Sequence, residues 1–82
     1  MNEEIIYQFS KNTKETVICT LKMWNDKPYF DIRVYYTDDK QTLKPTTKGL
    51  CLSANHITEL KHILDKLEIV LKSSEIRTES IL

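Results

Sequence analysis

Two alternating stretches set back to back constrain this chain most. From Glu15 to Trp24, Val17, Cys19, Leu21 and Met23 fall on one side, and Ile18, Thr20, Lys22 and Trp24 on the other. From Lys27 to Tyr36, Phe30, Ile32 and Val34 alternate with Tyr29, Asp31, Arg33 and Tyr35. A period of two over such lengths predicts two strands, each with one apolar face. Asn25-Asp26 supplies turn residues between them, and Pro28 sits at the start of the second strand, where a missing N–H costs least. The two stretches therefore form a hairpin, and its outward faces merge. Lys22 and Trp24 join Tyr29, Asp31, Arg33 and Tyr35 on one surface, with Lys27 at its rim. A face that only had to be solvated would carry Thr, Ser, Lys or Glu. Aromatic rings interleaved with cations suit nucleobases and phosphates instead.

The remaining segments arrange themselves around this hairpin. Residues 1–4 form a short acidic lead, residues 5–72 a single domain, and residues 73–82 a polar, flexible tail. Ile5 to Phe9 reads as a first strand and Ser10 to Lys14 as a polar turn. Beyond the hairpin, Thr37 to Gln41 is a second turn and Thr42 to Pro45 a short edge segment. Lys48 to Leu52 is a last strand with Leu50 and Leu52 inward. Gly49, the single glycine, marks a bulge or a close approach of backbone and ligand. Ser53 is suited to cap a helix from Ala54 to about Lys72. Its apolar stripe of Ile57, Leu60, Leu64, Leu67 and Leu71, widened by Ile63 and Val70, exceeds what one small sheet needs. Part of the stripe is expected to cover the sheet, and the rest to form a seam with a second copy. The expected fold is α+β: a curved four-stranded antiparallel sheet followed by one long C-terminal helix, paired as a homodimer.

Composition narrows the function. At 82 residues the chain is one small domain, of a size at which self-association is a common remedy for a marginal core. Twelve basic residues balance twelve acidic ones, so nothing in the net charge announces a nucleic-acid partner. Their distribution does. Lys11, Lys14, Lys22, Lys27, Arg33, Lys40, Lys44 and Lys48 outnumber the acids of the sheet region, while the ends are acidic. Cys19 and Cys51 stand far apart within apolar strand patterns, which predicts buried thiols in a reducing compartment. The absence of an apolar run fit for a signal peptide or membrane span predicts a soluble intracellular protein with no membrane partner. That means cytoplasm or nucleoid in a bacterium, and the nucleus in a eukaryote. No nucleophile elbow or phosphate loop is present, and no cofactor is implied. His56 and His62 lie on different sides of the helix and cannot share a metal. No catalytic or metal site is expected, and the chain reads as a binding protein, not an enzyme.

Asp31-Ile32-Arg33 followed by Tyr35-Tyr36, then Lys44-Pro45-Thr46-Thr47-Lys48-Gly49 and an apolar strand before a helix, resembles the single-stranded-DNA-binding domain of the transcriptional positive cofactor four coactivators. The similarity extends from about Tyr7 to about Leu71. It implies a homodimer that binds single-stranded DNA with little sequence preference and regulates transcription, with replication or repair as other uses, and the transcription machinery as a further partner. By resemblance, Trp24 stacks on a base, although alone it could cap the apolar end of the hairpin. Lys27 and Arg33 contact the backbone, unless they form ion pairs with Asp26 or Asp31. Tyr36 is a second stacking residue by resemblance, whereas strict alternation puts Tyr35 beside Arg33. Lys44, Lys48 and Gly49 match the family's basic loop, and Lys22 joins the site through its face. Ile57, Leu60, Leu64, Leu67 and Leu71 would carry the dimer contact. Asn25-Asp26 and Thr46-Thr47 replace positions that carry positive charge in the family, which implies weaker electrostatic binding. The chain also lacks the Ser- and Lys-rich leader of the eukaryotic coactivators, which makes a stand-alone bacterial or viral version the expectation. An RNA-binding module, or a dimeric module that receives a peptide on its aromatic face, are the alternatives.

Overall fold

A computed structural model describes residues 3–73. Strands β1 (Glu3–Ser10), β2 (Glu15–Trp24), β3 (Lys27–Thr37) and β4 (Leu43–Ser53) form one antiparallel sheet in the order of the chain. A single turn of 3-10 helix, Ala54–His56, then leads into α1 (Ile57–Ser73). The four strands and one long helix are those the alternation and the apolar stripe predict. Strand β1 begins at Glu3, taking in part of the expected lead, and the expected tail falls outside the described residues from position 74 onward. Among the described residues, no helix is long and apolar enough to cross a membrane.

The turns explain the register. Trp24 pairs with Lys27, so Asn25 and Asp26 alone make the bend, and both have positive φ, 53° and 61°. Two left-handed residues give a turn whose twist matches the flanking strands, and Asn and Asp tolerate that region better than other side chains. At the next turn Asp38 accepts hydrogen bonds at Oδ1 from the backbone N–H groups of Lys40 and Thr42, both at 2.9 Å. Edge strand β4 then runs unbroken from Leu43, where the sequence suggested two separate pieces. It is continuous because a bulge absorbs the mismatch: Arg33 faces Gly49 and Tyr35 faces Pro45, leaving extra residues between Pro45 and Gly49. Ser53 accepts a hydrogen bond from the N–H of Asn55, as its place before the helix predicts.

The sheet curls toward the face that carries Tyr29, Asp31, Arg33 and Tyr35. Ile18, Thr20 and Asp31 on that face are each only 4% exposed, and one hollow there is lined by residues of all four strands. Phe30, on the opposite face, is the other buried residue of the core.

The helix corrects one expectation. Part of its apolar stripe was to cover the sheet, yet α1 packs on the 3-10 turn and has little contact with the strands. Ile57, Leu64, Leu67 and Leu71 are all exposed, and Leu60 is half-buried. Leu21, Met23 and Leu50 on the apolar face of the sheet are exposed as well. The molecule spans 45 × 37 × 18 Å, with the helix leading away from its own sheet. The 3-10 turn sets this direction: it touches β3 and β4 and so fixes the exit of the chain near Phe30.

Candidate nucleic-acid interface

The concave face is built by two rows of cross-strand pairs. Lys22 stands opposite Tyr29, Thr20 opposite Asp31 and Ile18 opposite Arg33 in the β2–β3 hairpin. On the other side of β3, Tyr29 meets Ser53, Asp31 meets Cys51 and Arg33 meets Gly49. Trp24 and Tyr29 are diagonal neighbours and pack edge to face, with ring centroids 6.3 Å apart and planes at 72°. The indole nevertheless remains 59% exposed. Lys22, Met23, Trp24, Tyr29 and Cys51 line a groove of about 320 Å³ at this end of the sheet. Here an apolar floor and two aromatic rings lie beside an ammonium group, with Lys27 directly across from Trp24.

In the middle of the face Arg33 is clamped. Its Nε and Nη2 donate to Asp31 Oδ2 and Oδ1 at 3.0 and 2.8 Å, and Nη1 donates to the Thr46 carbonyl at 3.0 Å. A fork-to-fork pair of this kind is the strong form of an ion pair. Asp31, hydrogen-bonded to it, holds the guanidinium above its ordinary pKa, so Arg33 is a fixed cation. Among the described residues, two of its five N–H groups have no partner in this arrangement. The bulge in β4 is pinned from the same place. Thr46 Oγ1 donates to the Val34 carbonyl at 2.7 Å and accepts from the N–H of Lys48 at 3.1 Å.

The structure thus brings Lys22, Trp24, Lys27, Arg33, Tyr35 and Gly49 to one concave face. Tyr36, Lys44 and Lys48 stand apart from it. The β2–β3 register is unbroken through Glu15–Tyr36, so Tyr36 falls with Phe30, Ile32 and Val34 on the opposite face, 43% exposed and paired with Lys44. Lys48 lies in the bulge, close enough to Glu15 for its charge to help lower the pKa of that carboxyl. The hydrogen bond from Asn12 Nδ2, at 2.7 Å, is the leading cause of that lowering.

Sequence reasoning missed two contributors and raised a third only as an alternative. Asp31 does form the ion pair with Arg33 that the sequence left open, whereas Thr46, which holds Arg33 and the bulge, is revealed only by the fold. Cys51 was expected to be buried, but it is exposed on the concave face and lines the Trp24 groove. Alternation is the reason: with Leu50 and Leu52 on the face of Ile32 and Phe30, Cys51 turns to the other side, opposite Asp31. Cys19 is half-buried, and both thiols are free. Among the described residues, no cluster of His, Cys, Asp and Glu is placed to hold a metal ion.

Comparison with known proteins finds the same architecture. A PC4 homologue from Burkholderia pseudomallei K96243 superposes with a TM-score of 0.74 at 15% identity, covering 82% of this chain and 98% of that one. A bacteriophage T5 homologue of the eukaryotic transcription coactivator PC4, implicated in recombination-dependent DNA replication, gives 0.61 at 18% identity, covering 98% and 93%. A search of curated proteins finds no match. At these identities the structures establish the fold. The sequence itself goes further, since residues 11–63, the whole β2–β4 sheet and the first turns of the helix, match the family described as Transcriptional Coactivator p15 (PC4). This chain belongs to that family.

Proposed function

We propose that this protein binds single-stranded DNA with little sequence preference, as a homodimer, in the regulation of transcription or in DNA replication or repair. The observation that carries the reading is Trp24: an indole braced edge-on by Tyr29 yet more than half exposed, set between Lys22 and Lys27 on a grooved sheet face. Stacking on such a ring is tolerant of sequence because every base has a π-face. Lys22 and Lys27, with the two remaining N–H groups of Arg33, neutralise phosphates beside the stacked bases. Lys44 and Lys48 on edge strand β4 meet the strand where it leaves the concave face, and Tyr36 reaches it only around that edge. The family's name and the T5 relative's role in replication support a partner of this chemistry.

What the chain leaves uncovered supports the dimer. An exposed helix stripe and an exposed apolar sheet face in one small domain amount to a surface that monomers rarely present to water. Pairing through Ile57, Leu60, Leu64, Leu67 and Leu71 removes it.

The decisive experiment is a competition between a mixed-sequence DNA strand of a couple of dozen nucleotides, its own duplex, and the matching RNA. The DNA strand is expected to bind more tightly than either. Equal affinity for strand and duplex ends the stacking account, and preference for RNA replaces DNA as the partner.

A further inference from the structure

Arg33 offers a bound strand a surface that its hydrogen bonds do not use. Nε, Nη1 and Nη2 all donate at the edges of the guanidinium plane, to the Asp31 carboxylate and the Thr46 carbonyl. Gly49 lies under one face of that plane, so near that a Cβ there would come within 2.9 Å of Cζ. Edges held by two residues and a floor of backbone leave the opposite face turned to the concave side, and 23% of the side chain stays exposed. Phosphate contact alone needs none of this, since a point charge on a flexible stem supplies it. The Asp31 carboxylate also offsets the positive charge at the place where a phosphate would approach.

We propose that the outer face of the Arg33 guanidinium is a stacking shelf distinct from Trp24, on which one base of the bound strand lies flat. The inference rests on the single-strand reading and assigns a base where the resemblance implies only a backbone contact. A flat, delocalised cation stacks on the ring of any base, so the shelf keeps the tolerance of sequence. Asp31 and Thr46 are its positioning residues. They hold the plane before DNA arrives, so little rotamer freedom is lost when a base settles on it. Lys27 stands opposite Trp24 and six residues before Arg33 on β3, which places the shelf about 20 Å along the strands from the indole. The two platforms therefore take different bases of one strand, and the two remaining N–H groups of Arg33 stay at the edge for a phosphate.

Two measurements with an all-adenine DNA strand, chosen for the strong ring current of its bases, test the shelf. The first follows the Arg33 Nε–H resonance of the wild-type protein as the strand is added. A base lying over the plane moves it upfield. The second compares Arg33→Lys with wild type by fluorescence anisotropy over a range of salt. Lysine keeps the charge and loses the plane, so affinity is expected to fall by at least about fivefold, the lower end of what stacking one base contributes. The slope of log affinity against log salt is expected to stay the same. An Nε–H resonance that stays in place or moves downfield overturns the shelf and leaves the single-strand reading standing. So does an Arg33→Lys protein that binds like wild type, or that loses affinity through a flatter slope. If the wild-type protein does not bind the strand, both are overturned.

Discussion

Arg33 lies so close over Gly49 that a Cβ at position 49 would come within 2.9 Å of both its Cγ and its Cζ, and within 2.9 Å of the Ile32 carbonyl. Gly49 has no positive φ, so it is space and not backbone conformation that requires glycine here. The guanidinium can meet Asp31 and the Thr46 carbonyl together only by lying across that bare backbone.

Gly49→Ala is therefore expected to destabilise the protein by roughly 1–3 kcal/mol, the ordinary cost of overpacking a filled site. Urea denaturation measures it. The variant should also loosen the Arg33 clamp, visible as a shifted Nε–H resonance. Unchanged stability would mean that Arg33 has an equally good place elsewhere.

Stacking and charge neutralisation on the concave face separate by their response to salt. Trp24→Ala should cost roughly 1–3 kcal/mol of affinity for a DNA strand with little change in salt dependence. Lys22→Ala or Lys27→Ala should flatten the plot of log affinity against log salt by about 0.7 for each lost phosphate contact. Arg33→Ala is a mixed case, because it also releases Asp31. A folded Trp24→Ala protein that binds like wild type would reduce Trp24 to a cap on the hairpin.

Much of this architecture was legible in the residues. Alternation over Glu15–Trp24 and Lys27–Tyr36, the Asn25-Asp26 bend and the Ser53 cap each name one local structure, and local physics decides each of them. The choice between Tyr35 and Tyr36 stayed open in the residues; the unbroken β2–β3 register puts Tyr35 on the concave face and Tyr36 on the other. What could not be read was long-range. Nothing local shows that Arg33 reaches the Thr46 carbonyl across the sheet, or that α1 leaves its own sheet bare, because a stripe of leucines looks the same whichever surface it will meet.

That bare surface carries the prediction for assembly. Leu64→Asp on the exposed stripe should give monomers or unfolded protein, since a carboxylate facing its symmetry mate in an apolar seam costs several kcal/mol. Sedimentation or light scattering at micromolar concentration reads the outcome. A wild-type monomer under those conditions refutes the dimer.

The hairpin turn offers the opposite kind of change. Asp26→Gly should stabilise the protein by up to about 1 kcal/mol, since glycine takes the left-handed region without the penalty other residues carry. It also removes a carboxylate beside Lys27, so affinity for a DNA strand should rise with it. A lower melting temperature would show that the Asp26 side chain contributes to the turn in a way its backbone does not reveal.

The sheet follows the order of the chain, with β1, β2, β3 and β4 each paired to its immediate successor. Every strand contact therefore closes a short loop, and such topologies fold fast because little loop entropy is lost before pairing begins. During synthesis the β2–β3 hairpin can zip as soon as Tyr36 has left the ribosome, while the helix is still inside the exit tunnel. The concave face would then exist, in outline, before the exposed stripe of the helix has left the tunnel.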